Sequence, residues 1–298
     1  KTSKKASTEE IAPEDAHFLW QGPTATYPKH PKHVVQVGKL LLAVVWTVMT
    51  GVTVRVFGRH GIGKTAAIMG LGSKIASSLG HKDVEMIKIP GGTVGGDDMV
   101  SAAPVREGDN YVLVDVIMKN LVPGKKFILV VDDSLMAPQI VQNQFMQLAA
   151  EWRLGSFDLR EHGCIGVIFL DNPDLAEANS VMDDLAQADR YITMEVTDQD
   201  TAQDVKMYLA NKYADIDLTK AFAARDALPK ELRYLVSWRT FDRMIELMTH
   251  PNRYPGHMAL PYMDGSYTWL TFTDGNGVSV DRTKEVISKM AEALGVPY

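Results

Sequence analysis

The residues with the clearest chemical signature are Gly58-Arg59-His60-Gly61-Ile62-Gly63-Lys64-Thr65, which satisfy the spacing G-x-x-x-x-G-K-[ST] in full. Glycines at this spacing let consecutive backbone N–H groups turn toward phosphate oxygens, and a helix starting at the end of the loop adds the positive end of its dipole. Lys64 would reach the β- and γ-phosphates of a nucleotide, and the Thr65 hydroxyl would ligate Mg²⁺. The nucleotide-binding set runs from Gly58 through Ala66. The alternative is a Gly-rich turn that meets the pattern by chance. An apolar strand entering the loop (VTVRVF) and a helical stretch leaving it (Thr65–Leu79) favour the phosphate site.

A metal at such a site needs a carboxylate, and Phe127-Ile128-Leu129-Val130-Val131-Asp132-Asp133 supplies one: an apolar strand ending in two acids. Asp132 would hold Mg²⁺ directly or through water, and Asp133 would polarise the attacking water. A strand ending in an Asp-rich turn is the plain alternative. His30 and His33 have no third ligand nearby, and His162 and Cys164 lie two apart without further ligands. They read as loop histidines and as buried or edge residues.

These groups need strands and helices to place them. Val52–Phe57, Val84–Ile89, Phe127–Val131, Ile165–Leu170 and Tyr191–Val196 read as strands, several nearly continuous in apolar residues, as strands covered on both faces should be. Helical stretches separate them, for example Pro138–Glu151 with Ile140, Val141, Phe145, Leu148 and Ala149 on one face. Strands separated by helices predict a mostly parallel sheet. Ser101–Val105 and Tyr111–Asp115 read as a hairpin around the turn REGDN. After Val196 the strands stop. Thr201–Tyr213, Trp238–Met248 (N-capped by Ser237) and Asp281–Leu294 (stopped by Gly295) read as helices, and His250–Gly277 as an irregular or short-hairpin crossover. The expected domains are an N-terminal arm over 1–33, an α/β nucleotide-binding domain over 34–197 and a helical domain with a C-terminal extension over 198–298.

With the loop and the acidic strand in place, the chain resembles the AAA+ ATPases and, within them, the MoxR branch. Asp133-Ser134-Leu135-Met136-Ala137-Pro138-Gln139-Ile140-Val141-Gln142-Asn143, followed by Glu151-Trp152-Arg153-Leu154-Gly155, is similar to that branch's D-E-x-N-R-A-P-x-x-V-Q-N and E-E-x-R-x-G. Asn172-Pro173 resembles its strand-ending N-P, Ala186-Gln187-Ala188-Asp189-Arg190-Tyr191 its A-Q-x-D-R-F, and Ser237-Trp238-Arg239 its S-x-R at the start of a lid helix. The matches fall in order over roughly residues 34 to 249. The resemblance implies a P-loop NTPase fold, a three-layer α/β sandwich around a central, mostly parallel five-stranded sheet of order five-one-four-three-two, with a small helical lid. ATP and Mg²⁺ are the implied cofactors. Asn172 would be the first sensor, orienting water near the γ-phosphate, and Arg239 the second, reaching from the lid. Arg190 would be an arginine finger inserted into a neighbouring subunit. The hairpin is similar to the insert in the second helix that defines the wider clade. The implied assembly is a homo-oligomeric ring, a hexamer, acting on a protein client or with a von Willebrand factor A domain protein. The bland alternatives are a turn residue for Asn172, a surface ion-pair partner for Arg190 and a solvated helix start for Arg239. One departure bears on rate: the family has Asp-Glu where this chain has Asp132-Asp133. Aspartate is one methylene shorter, and misplacing a catalytic group by about 1 Å can cost around 10²-fold, which points to slow turnover.

Composition narrows the classes further. The 298 residues are 46% hydrophobic and 23% charged, a globular balance that argues against a largely disordered chain. A net charge of −6 gives no global basic field for nucleic acid or anionic lipid, although a local basic groove stays open. The single cysteine, Cys164, cannot form an internal disulfide, and a cytoplasmic setting is expected. The apolar run Leu40–Phe57 approaches membrane-spanning length, but Thr47, Thr50, Gly51, Thr53 and Arg55 interrupt it, so a buried helix and strand are expected and no membrane span. The functions that remain open are an ATPase that remodels a protein partner, an ATP-gated scaffold with little hydrolysis, and a nucleic-acid motor or loader.

Overall fold

In the computed structural model the apolar run divides as its interruptions dictate. Helix α1 (Leu42–Thr50) closes at Gly51, and strand β1 (Val54–Phe57) follows. Ala43, Val44, Val54 and Val56 are fully buried. Among the described residues no helix is long and apolar enough to cross a membrane. The structure describes residues 37–95, 100–107, 110–117, 124–172, 190–229, 233, 236–249, 271–273, 279–281 and 283–295. The expected arm over 1–33 with His30 and His33, Pro173, the stretch 185–189 and most of His250–Gly277 lie outside them.

From β1 the chain runs through α2 (Lys64–Ser78), β2 (Glu85–Pro90), a 3₁₀ turn at Gly91–Thr93, and the antiparallel pair β3 (Val100–Glu107) and β4 (Asn110–Ile117), the hairpin expected there. Next come β5 (Phe127–Asp132), a 3₁₀ turn at Ser134–Met136, and α3 (Gln139–Glu151). A small hairpin, β6 (Arg153–Leu154) and β7 (Phe157–Asp158), turns at Gly155 with φ 57° and was not anticipated. Strands β8 (Cys164–Asp171) and β9 (Ile192–Glu195) complete the α/β part.

The central sheet has the order β2-β5-β8-β1-β9, and all four pairings are parallel. Numbering its five strands along the chain gives five-one-four-three-two read from the β9 edge, the expected P-loop α/β arrangement. Side-chain alternation decides which helix covers which face. Phe127, Leu129 and Val131 of β5 join Val167 and Phe169 of β8 in a cluster with Val141, Phe145 and Leu148 of α3. On the other face α1 packs against β8 and α2, and α2 against β2 and β5. Thr47, one of the polar residues interrupting the apolar run, earns its buried place here. Its Oγ1 accepts the Val167 N–H at 2.9 Å and donates to the Val167 carbonyl at 3.2 Å, next to the first β1–β8 pair, Val54 with Ile168. Thr53 likewise donates to the Ala149 carbonyl at 2.7 Å and accepts the Trp152 indole N–H at 2.9 Å. Burial pushes the Cys164 thiol up to about 12, against hydrogen bonds with Gly166 and Leu129, so it behaves as a small apolar core residue.

Helix α4 (Asp198–Lys212) starts before the expected Thr201 because Thr197 and Asp200 form a capping box. Thr197 Oγ1 accepts the Asp200 N–H at 3.2 Å, and Asp200 Oδ2 accepts the Thr197 N–H at 2.9 Å. Beyond it lie α5 (Thr219–Asp226), α6 (Trp238–Thr249), β10 (Thr271–Thr273), β11 (Ser279–Asp281) and α7 (Thr283–Ala293). The antiparallel β10–β11 pair corrects the expectation that strands end at Val196; it matches the short-hairpin alternative offered for the crossover, with its second strand falling beyond Gly277.

The chain divides into two compact units, Lys1–Arg59 with Lys64–Asp204 and His60–Gly63 with Val205–Tyr298. In the second, α6 buries Trp238, Phe241, Met244, Ile245 and Met248, and Ser237 caps it by accepting the Thr240 N–H at 3.3 Å. The buried Arg225 guanidinium lies 3.5 Å from the Trp238 ring centroid and donates through Nε to the Val236 carbonyl.

In the first unit the fully buried Asp204 ties the start of α1, its carboxylate accepting the Gly38 N–H at 2.6 Å and the Leu41 N–H at 3.1 Å. Burial pushes this carboxyl up to about 6, against the pull of hydrogen bonds from Leu41, Gly38 and Leu40. The unfolded chain holds it near 3.8, so between these values the folded protein binds the extra proton and gains stability as pH falls. The unfolding free energy of the wild type should therefore rise relative to Asp204→Asn between pH 7 and pH 5, as followed by urea denaturation. A difference that is flat or falls over that range would contradict the burial of the charged form.

Candidate nucleotide and metal site

The C-terminal ends of β5, β8 and β1 lie side by side, and the residues expected to do chemistry emerge from them. Gly58 continues β1, and its N–H donates to the Asp171 carbonyl at 3.1 Å. Gly61 and Gly63 hold φ values of 75° and 87°, a region that side chains other than glycine rarely adopt. A Cβ on Gly61 would fall 2.8 Å from Ser237 Cβ, and one on Gly63 2.5 Å from Val205 Cγ2, so space excludes a side chain as firmly as the dihedral does. The Arg239 N–H, at the start of α6, donates to the Gly61 carbonyl at 3.2 Å. Arg59 and His60 are exposed, Ile62 is buried and Ala66 is half-buried.

Lys64 is only 8% exposed, and its ammonium folds back on its own loop, donating to the carbonyls of Gly58 and, at 3.0 Å, Arg59. A cation this deeply buried needs partners, and the loop carbonyls are among them. Thr65 Oγ1 donates to Asp132 Oδ1 at 2.8 Å, which joins the loop to the acidic end of β5. The second oxygen of Asp132 meets Lys88 Nζ at 2.6 Å. Hydroxyl and carboxylate oxygens at one point suit a hard divalent cation that takes its remaining ligands from phosphate and water. Among the described residues there is no group of three or more His, Cys, Asp and Glu that could hold a metal ion.

Asp133 takes the left-handed conformation, φ 55° and ψ 49°, uncommon for a residue with a side chain but tolerated by aspartate. It is held there from two sides. Its N–H donates to the Leu170 carbonyl at 2.8 Å, and Gly91 approaches its carbonyl so closely that a Cβ would lie 2.6 Å away. The following turn is anchored by Asp171, whose carboxylate accepts Ser134 Oγ at 2.9 Å and the Leu135 N–H at 3.2 Å. Asp171 also accepts Arg55 Nε at 2.8 Å, and both side chains are buried. The Arg55 guanidinium sits 4.6 Å from the Phe57 ring centroid and 5.1 Å from that of Tyr191.

The structure thus brings Lys64, Thr65, Asp132, Asp133 and the fully buried Asn172 to one edge of the sheet. Arg190 is elsewhere. Ile192 pairs with Val54 and Glu195 with Phe57, so Arg190 precedes β9 at the opposite end of the strands from the loop. At about 3.3 Å per residue the separation along the strands is roughly 15 Å or more. The side chain of Arg239 is exposed, and it is its backbone N–H that touches the loop. Sequence reasoning missed Asp171, Arg55, Ser134 and Lys88. One signal was legible: an arginine and an aspartate, each alone in an otherwise apolar strand, on two strands expected to be neighbours.

No protein-family model matches the chain, and no curated protein sequence matches it. Among solved structures, it is similar to a mutant of RuvB from Thermotoga maritima, with 16% identity over 87% of this chain and 71% of that one and a TM-score of 0.42. It is also similar to NtrX from Brucella abortus in complex with ATP, with 12% identity over 85% of this chain and 66% of that one and a TM-score of 0.41.

The Asp171 network yields a direct test. Asp171→Asn leaves the buried Arg55 charge uncompensated and should cost about 3 kcal/mol or more of unfolding free energy in urea. Adding Arg55→Met to it should recover part of the loss, because the two residues form one unit. A cost below about 1 kcal/mol for the single change would show that Asp171 does not organise this edge.

Proposed function

We propose that this chain is an ATPase of the AAA+ type, similar to the MoxR branch, that binds ATP with Mg²⁺ on the Gly58–Ala66 loop and works as a homo-oligomeric ring on a protein partner. The observation that carries the reading is the Thr65–Asp132 hydrogen bond of 2.8 Å, which joins the two segments that the nucleotide's metal would bridge. Bound Mg²⁺ would supply charge neutralisation for the transferring phosphoryl group. Thr65 and Asp132 would hold it, while Lys64 would exchange its loop carbonyls for phosphate oxygens. Asp133 would accept the proton of the attacking water, Asn172 would orient that water, and Arg239 would serve from the second unit. The distance of Arg190 from its own loop supports a role in a neighbouring subunit's site, as an arginine finger in trans. Such fingers are worth about 10³ or more in rate. The domain reading, an α/β nucleotide domain over 34–197 followed by a lid over 198–298, is part of this proposal, and so is a hexameric ring.

One observation favours a second reading, an ATP-gated scaffold: Asp133 stands where the branch has glutamate, and its backbone is held from both sides and has little freedom to make up the missing methylene. Turnover per subunit, measured across a wide range of protein concentrations with Lys64→Ala as the blank, separates the two. The ATPase reading expects specific activity to rise cooperatively with concentration and to fall by about 10³-fold in Arg190→Ala and Asp133→Asn, with ATP still bound. Turnover at the blank level at every concentration, with ATP bound, would overturn it in favour of the scaffold.

A further inference from the structure

Lys88 belongs to no part of the nucleotide reading, yet it touches the one carboxylate on which the metal depends. In the β2–β5 register Lys88 pairs with Val130 and Pro90 with Asp132, so Lys88 and Asp132 are diagonal neighbours, within reach of a long side chain. The contact is made: Lys88 Nζ lies 2.6 Å from Asp132 Oδ2, while Oδ1 of the same carboxylate takes the Thr65 hydroxyl. Both oxygens of Asp132 are therefore engaged, one by a hydroxyl and one by a full positive charge. The Lys88 side chain is 40% exposed and that of Asp132 only 14%, so the ammonium can swing into solvent while the carboxylate stays.

We propose that Lys88 is a built-in counter-ion for Asp132, a positioning residue that holds the carboxylate in the metal-free site and competes with the divalent cation for it. The inference rests on the nucleotide reading of the loop and deepens it. Two opposite effects follow from electrostatics. Without metal, the Lys88 charge offsets the repulsion between Asp132 and incoming phosphates, and so supports metal-free ATP binding. With metal, the cation must displace an ammonium from Asp132 or sit beside it, and so binds less tightly than it would at an uncompensated carboxylate. Lys88 thereby lowers the coupling between Mg²⁺ and nucleotide, a quantity that binding measurements report without any turnover.

The test is calorimetric titration of the full chain with ATPγS, in EDTA and in saturating Mg²⁺. The readout is the ratio of the two dissociation constants. Lys88→Gln should raise this ratio about tenfold over the wild type, weakening metal-free binding and tightening binding with Mg²⁺, and Lys88→Arg should restore it. A merely structural role would move both constants together and leave the ratio unchanged, which would overturn the proposal. A second measurement needs no variant: acetylation of Lys88 in the wild type, read by mass spectrometry, should be faster with Mg²⁺·ATPγS than with ATPγS in EDTA. Equal or slower acetylation with the metal would also overturn it. Binding of ATPγS with an unchanged ratio defeats this proposal alone, whereas no binding by the wild type defeats the nucleotide reading and this proposal with it.

Discussion

The carboxylate of Asp171 is the point on which the chemical edge of the sheet depends. It is fully buried at the end of β8, and it accepts hydrogen bonds from Arg55 on β1 and from Ser134 and Leu135 in the turn after β5. Its own main-chain carbonyl takes the N–H of Gly58, the first residue of the loop. One residue therefore fixes where the loop leaves β1 and where the turn behind Asp132 and Asp133 begins. Asn172 is its immediate neighbour in the chain.

A buried ion pair carries a desolvation cost and is weak evidence for stability by itself. Here the cost is offset by completeness: Oδ1 accepts the Leu135 N–H and Oδ2 accepts Arg55 Nε, and the guanidinium lies near two aromatic rings. What the pair secures is register. Arg55 pairs with Phe169 and Phe57 with Asp171, so a slip of β1 against β8 would separate the charges and bury each without its partner. The two strands are otherwise almost uniformly apolar, covered on both faces, so alternation distinguishes little and the charge pair adds a register-specific contact.

The sequence made the five core strands legible because each is a short apolar run bounded by turn residues, and their order followed from the family resemblance. Boundaries shifted where capping decided them: Thr197 and Asp200 start α4 three residues before the expected Thr201. The β10–β11 pair was legible only as a short-hairpin alternative without bounds, because its strands span only Thr271–Thr273 and Ser279–Asp281, too short for alternation to show. At the site, the loop and its acidic strand were readable from spacing because their chemistry is local. Lys88–Asp132 was not, since it joins residues far apart in the chain through strand pairing that spacing does not reveal, and of Arg55–Asp171 only the lone charges in two apolar strands were visible. Gly91 was also opaque: its role is to let one turn approach another, at a distance no local pattern encodes.

The proposed nucleotide site stands on the Gly58–Thr65 loop, which Thr65 joins to Asp132 through a 2.8 Å hydrogen bond. Equilibrium titration of the wild type and of Lys64→Ala with a fluorescent ATP analogue, followed by displacement with unlabelled ATP, tests it most directly. A nucleotide site of this kind should bind one analogue per chain saturably, displaced by ATP and weakened at least about tenfold when the Lys64 ammonium is removed. Absence of saturable binding by the wild type, or binding that Lys64→Ala leaves unchanged, would contradict it.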